Sequence, residues 1–219
     1  MDMVTWIAVG SVATAAIVFL NLFLIFIKPR LEEPKFSIEF ETYAPFCRQT
    51  TSGTFTSVLG AINTYWLRLR VKNSGKSVAQ RCLGKLIKVM DSEAKVIDDF
   101  DPMQLHWVGT SWEAVPFTNI SLNRQDYEYL DVLVTQEGIY GVYICGDQFV
   151  WAKYEQRGIK NSLEPGKYII QITVYGDNVK PQTKYLSLIW RGRDYKDISV
   201  EIHDTPEKAK GWLKDKQND

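Results

Sequence analysis

The triplet Gly75-Lys76-Ser77 follows an alternating run, Leu67 to Val71, in the order of a nucleotide-binding loop. A phosphate loop needs a further glycine five residues ahead of that triplet's own, so that successive backbone amides wrap the phosphate. Arg70 holds that position, in mid-strand. Asn73-Ser74-Gly75 instead carries the residues of a tight turn, where Asn and Gly take conformations that branched side chains avoid. No nucleotide is expected here.

Other chemistry-bearing groups fall short in similar ways. His106 and His203 are the only histidines, and neither has a Cys or His at metal-ligand spacing, so no metal or other cofactor is expected. Asp98, Asp99 and Asp101 gather three carboxylates. The glycine and distal glutamate of a calcium loop are missing, so a solvated turn before Pro102 is expected. No Gly-x-Ser-x-Gly elbow occurs, no catalytic residue stands out, and the chain is not expected to be an enzyme. The remaining candidates are aromatic. Trp107 and Trp112, with Phe117 nearby, are the candidate ligand or partner contacts. Exposed tryptophans stack on sugar rings or anchor partners, whereas buried ones fill a sandwich core, and their spacing permits one of each.

Composition narrows the partners. The 219 residues carry 26 basic and 26 acidic side chains, so no strong field invites nucleic acid. Cys47, Cys82 and Cys145 are an odd, widely spaced set, not a disulfide framework. They read as thiols in a reducing compartment, with one bridge plus a free thiol as the alternative.

The elements that must position these residues are strands. Phe36, Ile38 and Phe40 alternate with Ser37 and Glu39; Leu67, Leu69 and Val71 with Arg68, Arg70 and Lys72. Tyr168 to Val174, Leu186 to Trp190 and Ile198 to Ile202 repeat the pattern. A period of two buries one face of a sheet. Further strands are predicted at 84–90, 95–99, 129–135, 139–145 and 148–153. Turn signals separate the runs at Asn73-Ser74-Gly75, Gly146-Asp147, Pro165-Gly166 and Gly176-Asp177-Asn178. Eight to ten short strands of this kind predict an all-β antiparallel sandwich over residues 36–203. Residues 204–219 read as a short basic tail, helical or disordered. Thr205 can cap it, Pro206 suits its first turn, and Ala209, Trp212 and Leu213 share one face, toward the domain or a membrane surface.

The N-terminus differs from everything after it. No charged residue occurs from Met3 to Ile27. A helix of about 24 such residues rises about 36 Å, enough to cross a hydrocarbon core of about 30 Å with some tilt. Residues 1–28 are therefore expected to form one uncleaved transmembrane anchor in the lipid bilayer. Asn21 offers a weak handle for self-association through a neighbouring helix. Lys28, Arg30 and Lys35 flank the span on its C-terminal side only, which places the body in the cytoplasm. The Asn119-Ile120-Ser121 sequon points the other way. Residues 29–35, with Pro29 and Pro34, read as a stiff linker.

Val71, Asn73, Gly75 and Ala79 form a V-x-N-x-G-x-x-x-A pattern. With it, residues 66–90 resemble immunoglobulin-like β-sandwich modules of the CARDB kind. That resemblance implies a binding or spacer module of immunoglobulin-like fold, in a family found mostly outside cells. The expectation is a single-pass membrane protein whose sandwich binds another protein or acts as a scaffold. The rivals are an envelope- or carbohydrate-binding module on the outer face and a membrane-tethered enzyme.

Overall fold

The computed structural model describes residues 14–28, 32–52, 62–110, 118–138, 140–146 and 162–216. Two antiparallel sheets face each other, as the alternation predicts. The first contains β1 (Phe36–Glu39), β2 (Cys47–Ser52), β3 (Ile62–Asn73), β6 (His106–Trp107), β8 (Tyr127–Gln136), β9 (Val142–Ile144) and β10 (Ser162–Leu163). Its order is β1-β3-β8-β9-β10, with β2 also on β3 and β6 also on β8. The second contains β4 (Ala79–Asp91), β5 (Met103–Gln104), β7 (Ile120–Leu122), β11 (Gly166–Gly176), β12 (Val179–Trp190) and β13 (Ile198–His203). It runs β13-β12-β11-β4-β5, with β7 also on β4.

Between the sheets, Leu69, Val71, Leu130 and Ile144 from one meet Leu86, Ile170, Ile172 and Leu188 from the other, all fully buried. Burying each such side chain contributes about 1.5–3 kcal/mol. Ile169, on the outward face of β11, is buried for a reason outside the sheets. A helix closes that face: Ala209 and Leu213 of the C-terminal helix pack on Met90, Ile169 and Ile189. That helix covers Pro206–Asp215, and the Thr205 hydroxyl caps it by accepting from Lys208 N. The tail is thus a helix docked on the body with Trp212 half-buried. We call the helical segment 14–28 α1 and this one α2.

Several boundaries differ from the sequence reading. The strands are more numerous, and β3, β4, β11 and β12 run 11 to 13 residues. Residues 95–99 contribute only an isolated bridge, Met90 to Val96, in the turn that follows β4. The predicted 139–145 strand shortens to β9, and residues 148–153 lie outside the described residues. The stiff linker also ends early. Ser74 N–H donates to the Lys35 carbonyl at 2.8 Å, Lys76 N–H to that of Glu33 at 3.4 Å, and the Ser77 hydroxyl to that of Glu32. Residues 32–35 are therefore clamped to the β3–β4 turn.

Among the described residues, no helix is long and apolar enough to cross a membrane. α1 spans about 22 Å at the usual helical rise. The rest of the expected span, up to residue 13, lies outside the described residues, as do Pro29, Arg30 and Leu31.

Candidate functional site

One polar row interrupts the apolar body. Arg68 on β3 and His106 on β6 are both register partners of Asp131 on β8. Three adjacent strands thus place a guanidinium, a carboxylate and an imidazole side by side. Arg68 Nε donates to Asp131 Oδ1 at 2.6 Å, and His106 Nδ1 lies 3.0 Å from Oδ2. The side chains of His106 and Asp131 are 1% and 2% exposed, and that of Arg68 9%. Burial on this scale is tolerable only because the charges are paired and both carboxylate oxygens are filled. A β-bulge at Leu67/Arg68 sets the row beside a small apolar cluster of Trp66, Val134 and Cys145.

The row ends at Thr110, whose Oγ1 lies 3.1 Å from His106 Nε2. Hydroxyl, imidazole and carboxylate then stand in the order of a nucleophilic triad. Hydrogen count argues against that chemistry. Thr110 Oγ1 has one hydrogen and directs it to the Trp107 carbonyl at 2.7 Å, so the hydroxyl is not aligned for transfer of that hydrogen to His106 Nε2. The arrangement fixes the β6–β8 pairing and the loop after Trp107. Sequence reasoning missed it, although a signal existed. Asp131 is a lone carboxylate inside the apolar run Leu130 to Val134, and such a residue is normally buried and paired.

Asn73 organises the turn that carries the Gly-Lys-Ser triplet. Its Oδ1 accepts from Lys35 N at 3.2 Å and Gly75 N at 3.0 Å. Its Nδ2 donates to the carbonyls of Ser77 at 2.7 Å and Leu122 at 3.0 Å. At Gly75 a Cβ would stand 2.5 Å from the backbone of Glu33, Pro34 and Lys35. The glycine is required by this close approach, and the triplet is structural.

The remaining sequence candidates scatter. Trp107 is fully buried in the core, so it is withdrawn as a ligand or partner contact. It sits on β6, a two-residue strand paired with β8 and too short to show the period that marks a buried position. Trp112 and Phe117 lie outside the described residues. Lys28 and Lys35 are exposed, and Arg30 lies outside the described residues. Asp98, Asp99 and Asp101 are exposed around a buried Phe100, and no metal-holding group occurs among the described residues. His203 stands beside Trp212, far along the chain from His106. All three cysteines are free thiols, with Cys82 and Cys145 fully buried. Burial pushes the Cys82 thiol up to about 11 and Cys145 well above the ordinary range.

Two concave surfaces stand out among the described residues. One is a cleft of about 280 Å³ lined by Gln136, Tyr140, Trp190 and Gly192 to Tyr195. Tyr140 is 69% exposed and tilts over Trp190 at 5.4 Å between ring centroids. The other is a groove of about 500 Å³ between Phe40 to Tyr43 and Val200 to Ile202. It lies where the β1 edge of one sheet faces the β13 edge of the other.

These features define a two-sheet, all-β antiparallel sandwich with a structural polar row and open grooves at its margins. No family model matches the chain, and neither a curated protein nor a solved structure does.

Proposed function

We propose that this chain is a single-pass membrane protein whose sandwich, of the immunoglobulin-like kind suggested by its Val71–Ala79 turn, works by binding another protein. The observation that carries the anchor is α1. Along residues 14–28 no side chain is buried, and Ile17, Phe19, Ile25 and Phe26 are each more than 60% exposed. Apolar surface of that extent is unfavourable in water and needs lipid or another protein around it. The uncharged run continues back to Met3, which supports a full span. Asn21, exposed on α1, offers an amide to a neighbouring helix. A tether of this kind confines the body to the bilayer surface, where weak contacts gain from raised effective concentration.

The cytoplasmic side is supported by Lys28, Arg30 and Lys35 beyond the span and by three unpaired thiols. Binding is favoured over catalysis because the hydroxyl of the triad-like row is engaged by the Trp107 carbonyl. The outer-face sugar reader loses its first contact with Trp107 buried.

Membranes from cells expressing the full chain test the anchor. Alkaline carbonate should leave the chain in the pellet, and release into the supernatant would overturn the reading. Translation into microsomes tests the side. Asn119 is exposed, so a glycosylated product would place the body outside.

A further inference from the structure

We propose that the free edge of β13 takes an extended, basic strand from a partner protein. This deepens the binding role proposed above and rests on it. β13 ends its sheet, with β12 on one side and, among the described residues, no strand on the other. The phase of the ladder decides which backbone groups are spare. Arg191 N–H donates to the Asp197 carbonyl, so residues 199, 201 and 203 form the hydrogen-bonded pairs with β12. Ile198, Val200 and Ile202 then turn their N–H and C=O groups away from the sheet. Ile198 N–H is used locally, by the Lys196 carbonyl at 2.7 Å. The N–H groups of Val200 and Ile202 and three carbonyls remain for an incoming strand. Exposed edges are usually blunted by proline, a bulge or charge, lysine above all. Ile198 to His203 has no proline, lysine or bulge, and its one carboxylate, Glu201, guards it only against acidic strands.

The groove beside this edge has the shape and charge for a particular occupant. Its walls are Phe40 and Tyr43 on one side and Val200 and Ile202 on the other, with Tyr43 61% exposed. Alternate apolar side chains of an added strand enter it. Its polar rim is acidic. Glu41 and Glu201 have no ion-pair partner among the described residues, whereas the nearby Lys184 and Asp204 neutralise each other at 2.5 Å. Lysine or arginine at the other positions of the added strand meets this rim, and opposite charges across a strand pair are favourable. A second copy of β13 would bring two acidic rims together, which is unfavourable.

The test uses the full chain in uncharged detergent micelles and two capped peptides, one alternating lysine with valine and one alternating glutamate with valine. Amide exchange is read at each residue of β13. The lysine peptide should slow exchange at Val200 and Ile202 by about tenfold or more, with little change at Ser199 and Glu201. The glutamate peptide should not. The double variant Glu41→Lys, Glu201→Lys, with unchanged melting, should reverse that preference. The proposal is overturned if Val200 and Ile202 are already slow without peptide, or become slow only as chain concentration rises, which marks a second copy. It is equally overturned if both peptides protect alike or if the folded double variant keeps its preference. A chain that leaves membranes in carbonate yet binds the lysine peptide sinks the anchor alone. A chain that stays in membranes and ignores the peptide sinks this proposal alone.

Discussion

Asp131 faces Arg68 directly across the β3–β8 ladder, and its other oxygen is taken by His106 from the next strand. A buried carboxylate with two such partners is far more costly to lose than to have. Asp131→Ala should destabilise the body by about 3–5 kcal/mol, measured by chemical denaturation, because it strands Arg68 in the interior. Arg68→Met combined with Asp131→Leu should recover much of that loss. Additive costs in this double-mutant cycle would mean that the pair is not coupled.

The turn at Asn73 gives a contrast between neighbours. Asn73→Leu leaves Lys35 N–H, Gly75 N–H and two carbonyls without their partner, and each buried unpaired group costs about 1–3 kcal/mol. Lys76 is exposed, so Lys76→Ala should leave the melting temperature nearly unchanged. Adding ATP should not shift the melt of the unaltered chain. A nucleotide-dependent shift lost in Lys76→Ala would restore the phosphate-loop reading.

Thiol chemistry should follow burial. Cys47 is partly exposed, although burial raises its thiol while a Tyr65 hydrogen bond pulls the other way. In the folded chain at neutral pH, a small disulfide reagent should modify Cys47 slowly and spare Cys82 and Cys145. All three should react after denaturation. Topology labelling therefore belongs at Cys47 or at an engineered surface cysteine. Cys145 labelling as fast as Cys47 would contradict the packing of β9.

His203 makes the docking of α2 depend on pH. Its ring lies 6.2 Å from Trp212, and burial holds its imidazole below the ordinary value of 6.5, against the pull of Glu201 and Asp204. The unfolded chain therefore binds the proton more readily than the folded one. The contribution to stability is whole above pH 6.5 and declines as pH falls from there toward the folded value. Protection of the α2 amides, taken against the unfolded chain at the same pH, should fall on going from neutral pH to about pH 5.5, and His203→Phe should flatten the response. An unchanged profile in that variant would assign the response to another group.

The sandwich was legible because its core strands obey a two-residue period. Ile170, Ile172 and Val174 bury where the alternation puts them. The outward set was read less well. Arg68 falls in the polar half of its alternating run, yet it and Asp131 are buried and paired across strands. Such pairing joins residues 63 apart, which no local window reports. β5, β6 and β7, of two or three residues each, are too short to show any period. α2 was visible from its cap and its Ala209–Leu213 face. The open β13 edge was not, because strand order depends on the whole topology.

The clamp of residues 32–35 onto the β3–β4 turn bears on mechanics. Glu32 N–H also reaches back to the Lys28 carbonyl at 3.1 Å, so the helix end and the clamped segment adjoin. Residues 32–35 thus enter the sandwich under restraint, and Asn73, which holds Lys35 N–H, is the point at which that entry is fixed.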